Sequence, residues 1–233
     1  TLALQVDDLA SSGGADMAGL CAVNGRESLE ETTLALRDQG LTVISLADSS
    51  LLGPLEVPAW VRGHLGPYSE HILDATAAYF REELAAGTGV VVLHDVETDP
   101  LEAAAPAALE AAGVPVVGRT YTWGSVDYAQ ALLGEVLSYQ SDVGGVLCFS
   151  RTGALGARAA LEAAGRADRV KVLCLDGSRE LLDDLERGEL DGVLTLREDD
   201  LAAELTGALD RAVRGEALGR VPLAVEVRRA PRS

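Results

Sequence analysis

Short apolar runs alternate with helical patterns along the whole chain. AGLCAV (18–23), LTVISLA (41–47), WVRGHLG (60–66), GVVVLHD (89–95) and VPVVGRT (114–120) read as strands. VGGVLCF (143–149), RVKVLCL (169–175), DGVLTL (191–196) and VPLAVEV (221–227) continue the series. Their apolar character is continuous rather than alternating, which predicts strands covered on both faces. Between them, residues 28–39, 69–84, 99–112, 127–139, 153–164 and 199–214 read as helices, and a further charged helical pattern begins near Ser178. In 127–139 the pattern puts Tyr128, Ala131, Leu132, Glu135, Val136 and Tyr139 on one mostly apolar face. In the last helix Leu201, Leu205, Ala208, Leu209 and Ala212 do the same. Gly40, Gly113 and Gly165 follow helices where a left-handed cap residue is needed. The βαβα order predicts parallel sheets with right-handed crossovers.

Such sheets bind ligands at the carboxyl ends of their strands. Those ends read Ala47-Asp48, His94-Asp95, Tyr121-Thr122-Trp123, Ser150-Arg151, Asp176-Gly177 and Leu196-Arg197. Asp176 closes the apolar run VLCL, and a carboxylate there suits hydroxyl recognition, since it accepts two hydrogen bonds at once. Trp123 offers a flat apolar face that suits the C–H face of a sugar ring. Each has a plainer reading: Asp176 as the cap of the helix near Ser178, and Trp123 as core.

At 233 residues the chain suits one large domain or two small lobes. Apolar residues make up 48% and aromatics only 4%, so the core is built from Ala, Leu, Val and Gly. A formal charge of −18 argues against nucleic acid, which needs clustered Lys and Arg. Cys21, Cys148 and Cys174 all lie inside apolar runs without CxxC or Cys/His spacing, so they read as buried thiols and zinc is not expected. No metal or other cofactor is expected. GRTYTWGS and FSRTGALG lack the lysine of a phosphate loop and a proper GxGxxG, and no GxSxG elbow occurs. TGALGA (152–157) is better read as tight helix-on-sheet packing. His94 beside Asp95 is the one histidine at a plausible site position. No convincing enzyme emerges; the candidate dyads are His94-Asp95 and Arg151-Asp176.

Over nearly its whole length the sequence resembles the type I periplasmic sugar-binding proteins of the ribose-binding kind, which share a fold with lac-repressor-like effector domains. GADMAGLCAVNGRESLEETTLALRDQGLTVISLADS (14–49) looks like the family's second crossover unit, and WVRGHLGPYSEHILDATAAYF (60–80) is similar to the segment that first crosses between lobes. SDVGGVLCFSRTGALGARAALEAAG (141–165) resembles the family's "PDV.AVFA.ND.MALGA..AL..AG" pattern. VKVLCLDGSRELLDDLERGELDGVLTL resembles "V.VVGFDG.PE.L..I..G.L.ATV.Q"; with ALDRAVRGE (208–216) it is closer to transport-type proteins than to repressors.

The resemblance implies an α/β fold of two Rossmann-like lobes with parallel sheets, joined by a three-crossing hinge. Residues 1–66 with 197–223 would form the N-terminal lobe, and 67–196 with 224–233 the C-terminal one. It implies a solute-binding protein of an ATP-driven (ABC) importer, closing on a carbohydrate or polyol in the cleft between lobes and then recognised by a membrane permease. The location would be extracytoplasmic, periplasmic or lipoprotein-anchored. The family's strand-tip Asp falls on Asp176 and its stacking aromatic on Trp123. Its Asn-Asp pair falls on Ser150 and Arg151, and its strand-tip Asp-Arg pair near Ala47-Asp48, making Asp48 a candidate contact.

Departures alter this picture. The family's ligand-binding Arg would fall near Leu101, and TDPLEAAAP (98–106) contains no Arg. Its last-crossover Gln falls on Leu196, and Tyr68-Ser69 replaces an Asp-Asn pair. A pocket without such arginines loses a bidentate grip on hydroxyls, leaving Arg151 and His94 as substitute donors. The family also starts with a β-α-β unit of ~40 residues, where only TLALQVDDLASSGG precedes the first strand here. The expectation is a segment lacking that unit, or an edge supplied by another chain. The rival readings are a cytoplasmic effector domain of a transcription regulator and a degenerate sensor that binds a protein partner.

Overall fold

The computed structural model describes residues 17–21, 38, 42–46, 61–66, 68–95, 99–216 and 218–231. In chain order the elements begin with β1 (Met17–Cys21), β2 (Thr42–Leu46), β3 (Val61–Gly66), α1 (Ser69–Glu83), β4 (Gly89–His94) and α2 (Pro100–Ala111). They continue with β5 (Val116–Tyr121), α3 (Val126–Tyr139), β6 (Val143–Cys148), α4 (Arg151–Ala163) and β7 (Lys171–Cys174). The last are α5 (Arg179–Glu186), β8 (Gly192–Leu196), α6 (Glu198–Val213), β9 (Gly219–Pro222) and β10 (Val225–Arg229). The predicted helix over 28–39 lies outside the described residues apart from Asp38.

The chain divides into two compact units, Thr1–Ser69 with Arg197–Ala224, and Glu70–Leu196 with Val225–Ser233. In the first, β1, β2, β3 and β9 form a parallel sheet in that order. In the second, the order is β10-β8-β7-β6-β4-β5, parallel throughout except that β10 runs antiparallel to β8.

The apolar runs from 18–23 to 191–196 form strands within two residues of their expected limits. The run 221–227 does not: it supplies the ends of two strands in two different sheets, β9 and β10. Pro222 has no N–H with which to extend a ladder. Beyond it, the Leu223 N–H donates to the Gly66 carbonyl (2.9 Å), and the Ala224 carbonyl accepts from the Arg197 N–H (2.9 Å).

In the second sheet all six residues of β4 and of β6 are buried. Val91, Leu93, Val146, Cys148, Val172, Cys174 and Val193 face α3, α4 and α5, while Val90, Val92, Leu147, Leu173 and Leu194 face α1 and α2. This is the period-2 alternation of a strand with both faces covered, which explains the unbroken apolar runs.

Two local readings change. In α3 the buried residues are Ala129, Leu133, Val136 and Leu137, whereas Tyr128 and Tyr139 are 55% and 67% exposed. The burial spacing i, i+4, i+7, i+8 is helical, but its stripe is turned away from the tyrosines. In α4 the small residues pack on the sheet as expected, with Gly153 close against Cys148, and they also serve a helix-on-helix contact. A Cβ on Gly156 would come within 2.5 Å of Ala129 Cβ and of the Val126 carbonyl oxygen. In α6, Ala208 and Ala212 are buried as expected, while Leu209 is exposed. Gly113 and Gly165 have φ of 80° and 64°, and both close their helices with left-handed caps.

Cys148 and Cys174 are free, buried, and directly paired in register on β6 and β7. Burial pushes the Cys148 thiol well above its ordinary range and the Cys174 thiol to about 12. Burial, followed by the Asp191 charge, also raises the Tyr79 phenol. Each group holds its proton longer in the folded than in the unfolded chain, so stability is unaffected below the ordinary thiol pKa of 9.0 and falls as pH rises from there toward 12. Urea midpoints are expected to be level from about pH 7 to 8.5 and to decline above about pH 9. A midpoint unchanged to about pH 11 contradicts this burial.

Candidate functional site

The carboxyl ends of β4, β5, β6 and β7 carry the polar residues that the covered faces of the sheet exclude. His94 and Asp95 are consecutive, so their side chains leave the strand on opposite faces. The His94 ring is buried on the α1–α2 face, stacked on Tyr121 (centroids 5.0 Å apart, 26°) and on Phe149 (5.9 Å, 16°). Its nearest carboxylate is Glu102, with Nδ1 3.7 Å from Oε2. Glu102 Oε2 also accepts from the Asp95 N–H (2.7 Å). Asp95 itself accepts from the Thr122 hydroxyl (2.5 Å) and lies on the side of Gly153. His94 and Asp95 therefore form no dyad.

Thr122 is fully buried and doubly anchored: its N–H donates to the His94 carbonyl (2.7 Å) and its hydroxyl to Asp95. From this anchor the chain makes a tight turn, closed by the Ser125 N–H donating to the Thr122 carbonyl (3.0 Å). Trp123 and Gly124 at the centre have φ of 49° and 67°, the sign pattern of a type I′ turn. Gly124 takes that conformation freely, whereas Trp123 is the one non-glycine residue with positive φ among the described residues. A bulky residue there is strained by about 1–3 kcal/mol. The indole is nonetheless 67% exposed, so it is not core. The turn ends in Ser125, whose hydroxyl caps α3 by accepting from the Tyr128 N–H (3.4 Å).

Ser150 caps α4: its hydroxyl accepts from the Gly153 N–H (3.2 Å) and shares a hydrogen bond with Thr152 (2.8 Å). Arg151 begins α4 but reaches α5, placing Nε 3.4 Å from Oδ2 of buried Asp184, which also pairs with Arg187. It is thus engaged with Asp184 and not with Asp176. Asp176 follows β7, and its Oδ1 accepts from the Ser178 N–H (2.9 Å) ahead of α5. This bond closes a turn ahead of α5, whose cap residue Ser178 makes no side-chain capping bond, so Asp176 does not cap the helix; the turn uses one carboxylate oxygen of the two. A Cβ on Gly177 would come within 3.1 Å of Thr195 Oγ1, so this loop lies close against β8. Asp48 lies outside the described residues.

The structure thus brings His94, Trp123, Ser150 and Asp176 to the ends of adjacent strands of one sheet. It adds Asp95, Thr122 and Glu102, which bind these tips to one another. From the sequence Asp95 is expected only as a dyad partner of His94, and Thr122 has no role; the signal for their pairing is their position next to His94 and Trp123. Among the described residues no group of three or more His, Cys, Asp or Glu is arranged to hold a metal ion. An open groove of about 430 Å³ runs between α3 and α4, lined by residues including Ala131, Gly134, Ala160 and Ala163. It gathers only Asp127 and Gln130 as polar groups.

No family model matches the sequence, and neither does any curated protein. Solved structures do match. A periplasmic ribose ABC transporter protein from Conexibacter woesei is 20% identical with a TM-score of 0.74, over 97% of this chain and 76% of that one. The Caulobacter myo-inositol binding protein, bound to myo-inositol, is 24% identical with a TM-score of 0.66, over 99% and 80%. An ABC transporter solute binding protein from Burkholderia graminis, in complex with D-arabinose, is 18% identical with a TM-score of 0.66, over 97% and 79%. At these identities the likeness establishes the fold, which is that of the type I periplasmic binding proteins.

Replacing Thr122 by Val removes the donor to Asp95 and leaves a half-buried carboxylate oxygen without it. Urea unfolding is expected to show a loss of about 1–3 kcal/mol, with Thr122→Ser close to the parent. Equal stability for Thr122→Val would show that the anchor is not needed.

Proposed function

We propose that this chain is the solute receptor of an ATP-driven importer and takes a sugar or polyol at the strand-tip edge that carries Trp123 and Asp176. The observation that carries the reading is the Trp123 turn. A buried threonine anchors it, its backbone is strained, and its product is an indole left facing solvent. Strain of this kind persists where surrounding structure over-determines it and the displayed group has a use. An indole face packs on the C–H face of a pyranose or cyclitol, and a carboxylate with one oxygen uncommitted accepts from its hydroxyls. Ser150 and Asp95 are further polar partners at the same edge. Support also comes from the fold, whose solved examples include proteins bound to myo-inositol and D-arabinose.

The division of the chain into lobes, their closure on solute, docking to a membrane permease and an extracytoplasmic location belong to the same proposal. Closure is the form in which binding becomes a signal, because a permease that distinguishes two shapes needs the ligand to favour one of them.

Thermal-shift and calorimetric titration against a panel of pentoses, hexoses and cyclitols is expected to yield at least one stabilising solute. Trp123→Asn relieves the positive-φ strain, since Asn tolerates that region, and removes the stacking face. It is expected to remain within about 1 kcal/mol of the parent in stability while weakening that solute at least about tenfold. A panel with no stabilising solute, or a Trp123→Asn variant that binds unchanged, overturns the proposal.

A further inference from the structure

Tyr128 sits in the first turn of α3, 55% exposed and off the buried stripe. It contributes little to the core, yet it meets the Trp123 indole edge-to-face, with ring centroids 5.7 Å apart at 75°. In a chain with nine aromatic residues, two such exposed rings in contact at one strand tip call for a reason. Both ends of the contact are fixed through the backbone. Trp123 is held by the turn anchored at Thr122, and the N–H of Tyr128 is bonded to Ser125, the cap that closes the same turn.

We propose that Tyr128 is a positioning residue for solute recognition, its ring holding the exposed Trp123 indole in the single attitude in which a free face is offered to the ligand. This rests on the receptor reading above. An exposed indole without a neighbour populates several staggered side-chain rotamers, and ordering it on binding weakens affinity. The edge-to-face contact satisfies the ring quadrupoles in advance, so that ordering is already complete in the free protein. The tyrosine hydroxyl has no part in this, and a phenylalanine ring serves equally.

The test uses the full chain with 5-fluorotryptophan incorporated, which gives a fluorine resonance for each of Trp60 and Trp123; Trp123→Asn identifies the second. In Tyr128→Ala the Trp123 resonance is expected to shift and narrow as the ring gains freedom, and in Tyr128→Phe to stay near the parent. Calorimetry with the best solute from a panel of D-ribose, D-arabinose, D-fucose and myo-inositol is expected to show Tyr128→Ala weaker by about three- to tenfold and Tyr128→Phe within about twofold. An unmoved Trp123 resonance in Tyr128→Ala, or unchanged affinity in that variant, overturns the positioning role while leaving the receptor reading in place. Tyr128→Phe binding as poorly as Tyr128→Ala also overturns it, because the hydroxyl would then be the contact. If the parent takes up no solute on the panel, the receptor reading fails and the positioning role fails with it.

Discussion

A parallel sheet covered on both faces leaves almost no place for an unpartnered polar side chain, and the second unit is organised by that constraint. β4 and β6 are buried along their whole length, with valines and leucines alternating between two helical layers. A polar group along these strands would lose its water without gaining a partner. Chemistry is therefore displaced to the strand ends, where loops reach solvent and helix caps supply donors. His94, Asp95, Thr122, Ser150 and Asp176 all lie there, at the last residue of a strand or within two residues beyond it. The same constraint keeps the thiols of Cys148 and Cys174 uncharged just beneath that edge.

At that edge most polar groups are already spoken for by the fold. Asp95 is tied to Thr122, Ser150 to α4, one oxygen of Asp176 to Ser178, and Arg151 to Asp184. Such internal bonds fix the loops, and they narrow what is left for a ligand to a few directed acceptors and one conspicuous apolar surface. The indole of Trp123 is the residue whose conformation the fold alone does not repay. Its strained backbone is held from below by a buried hydrogen-bonded anchor, and its ring meets that of Tyr128 edge-to-face. Rigid presentation of a flat face at low entropic cost is what selective, reversible binding of a small polar ring requires.

Much of this was legible in the residues. Continuous apolar runs marked the strands because both faces are buried, and glycine after helices marked left-handed caps at Gly113 and Gly165. The stacking of elements into parallel sheets followed from their alternation. Other features depended on tertiary context. Tyr128 and Tyr139 looked apolar enough to face the core, but α3 turns its Ala129–Leu133–Val136–Leu137 stripe inward, since small and aliphatic side chains pack closely against α4 where Gly156 leaves no room. The run 221–227 hid a change of sheet that Pro222 makes possible. The positive φ of Trp123 has no sequence signature beyond the glycine that follows it. The reach of Arg151 to Asp184 links residues far apart in the chain, and periodicity does not register such pairs.

Solute is proposed to bind at the strand-tip edge of the second unit. Amide hydrogen exchange, followed with and without a saturating solute found by titration, tests it most directly. Slowed exchange is predicted in the segments around Asp95, Thr122–Ser125, Arg151–Gly153 and Gly177–Ser178. Protection confined to the α3–α4 groove, with the strand-tip segments unchanged, would contradict it.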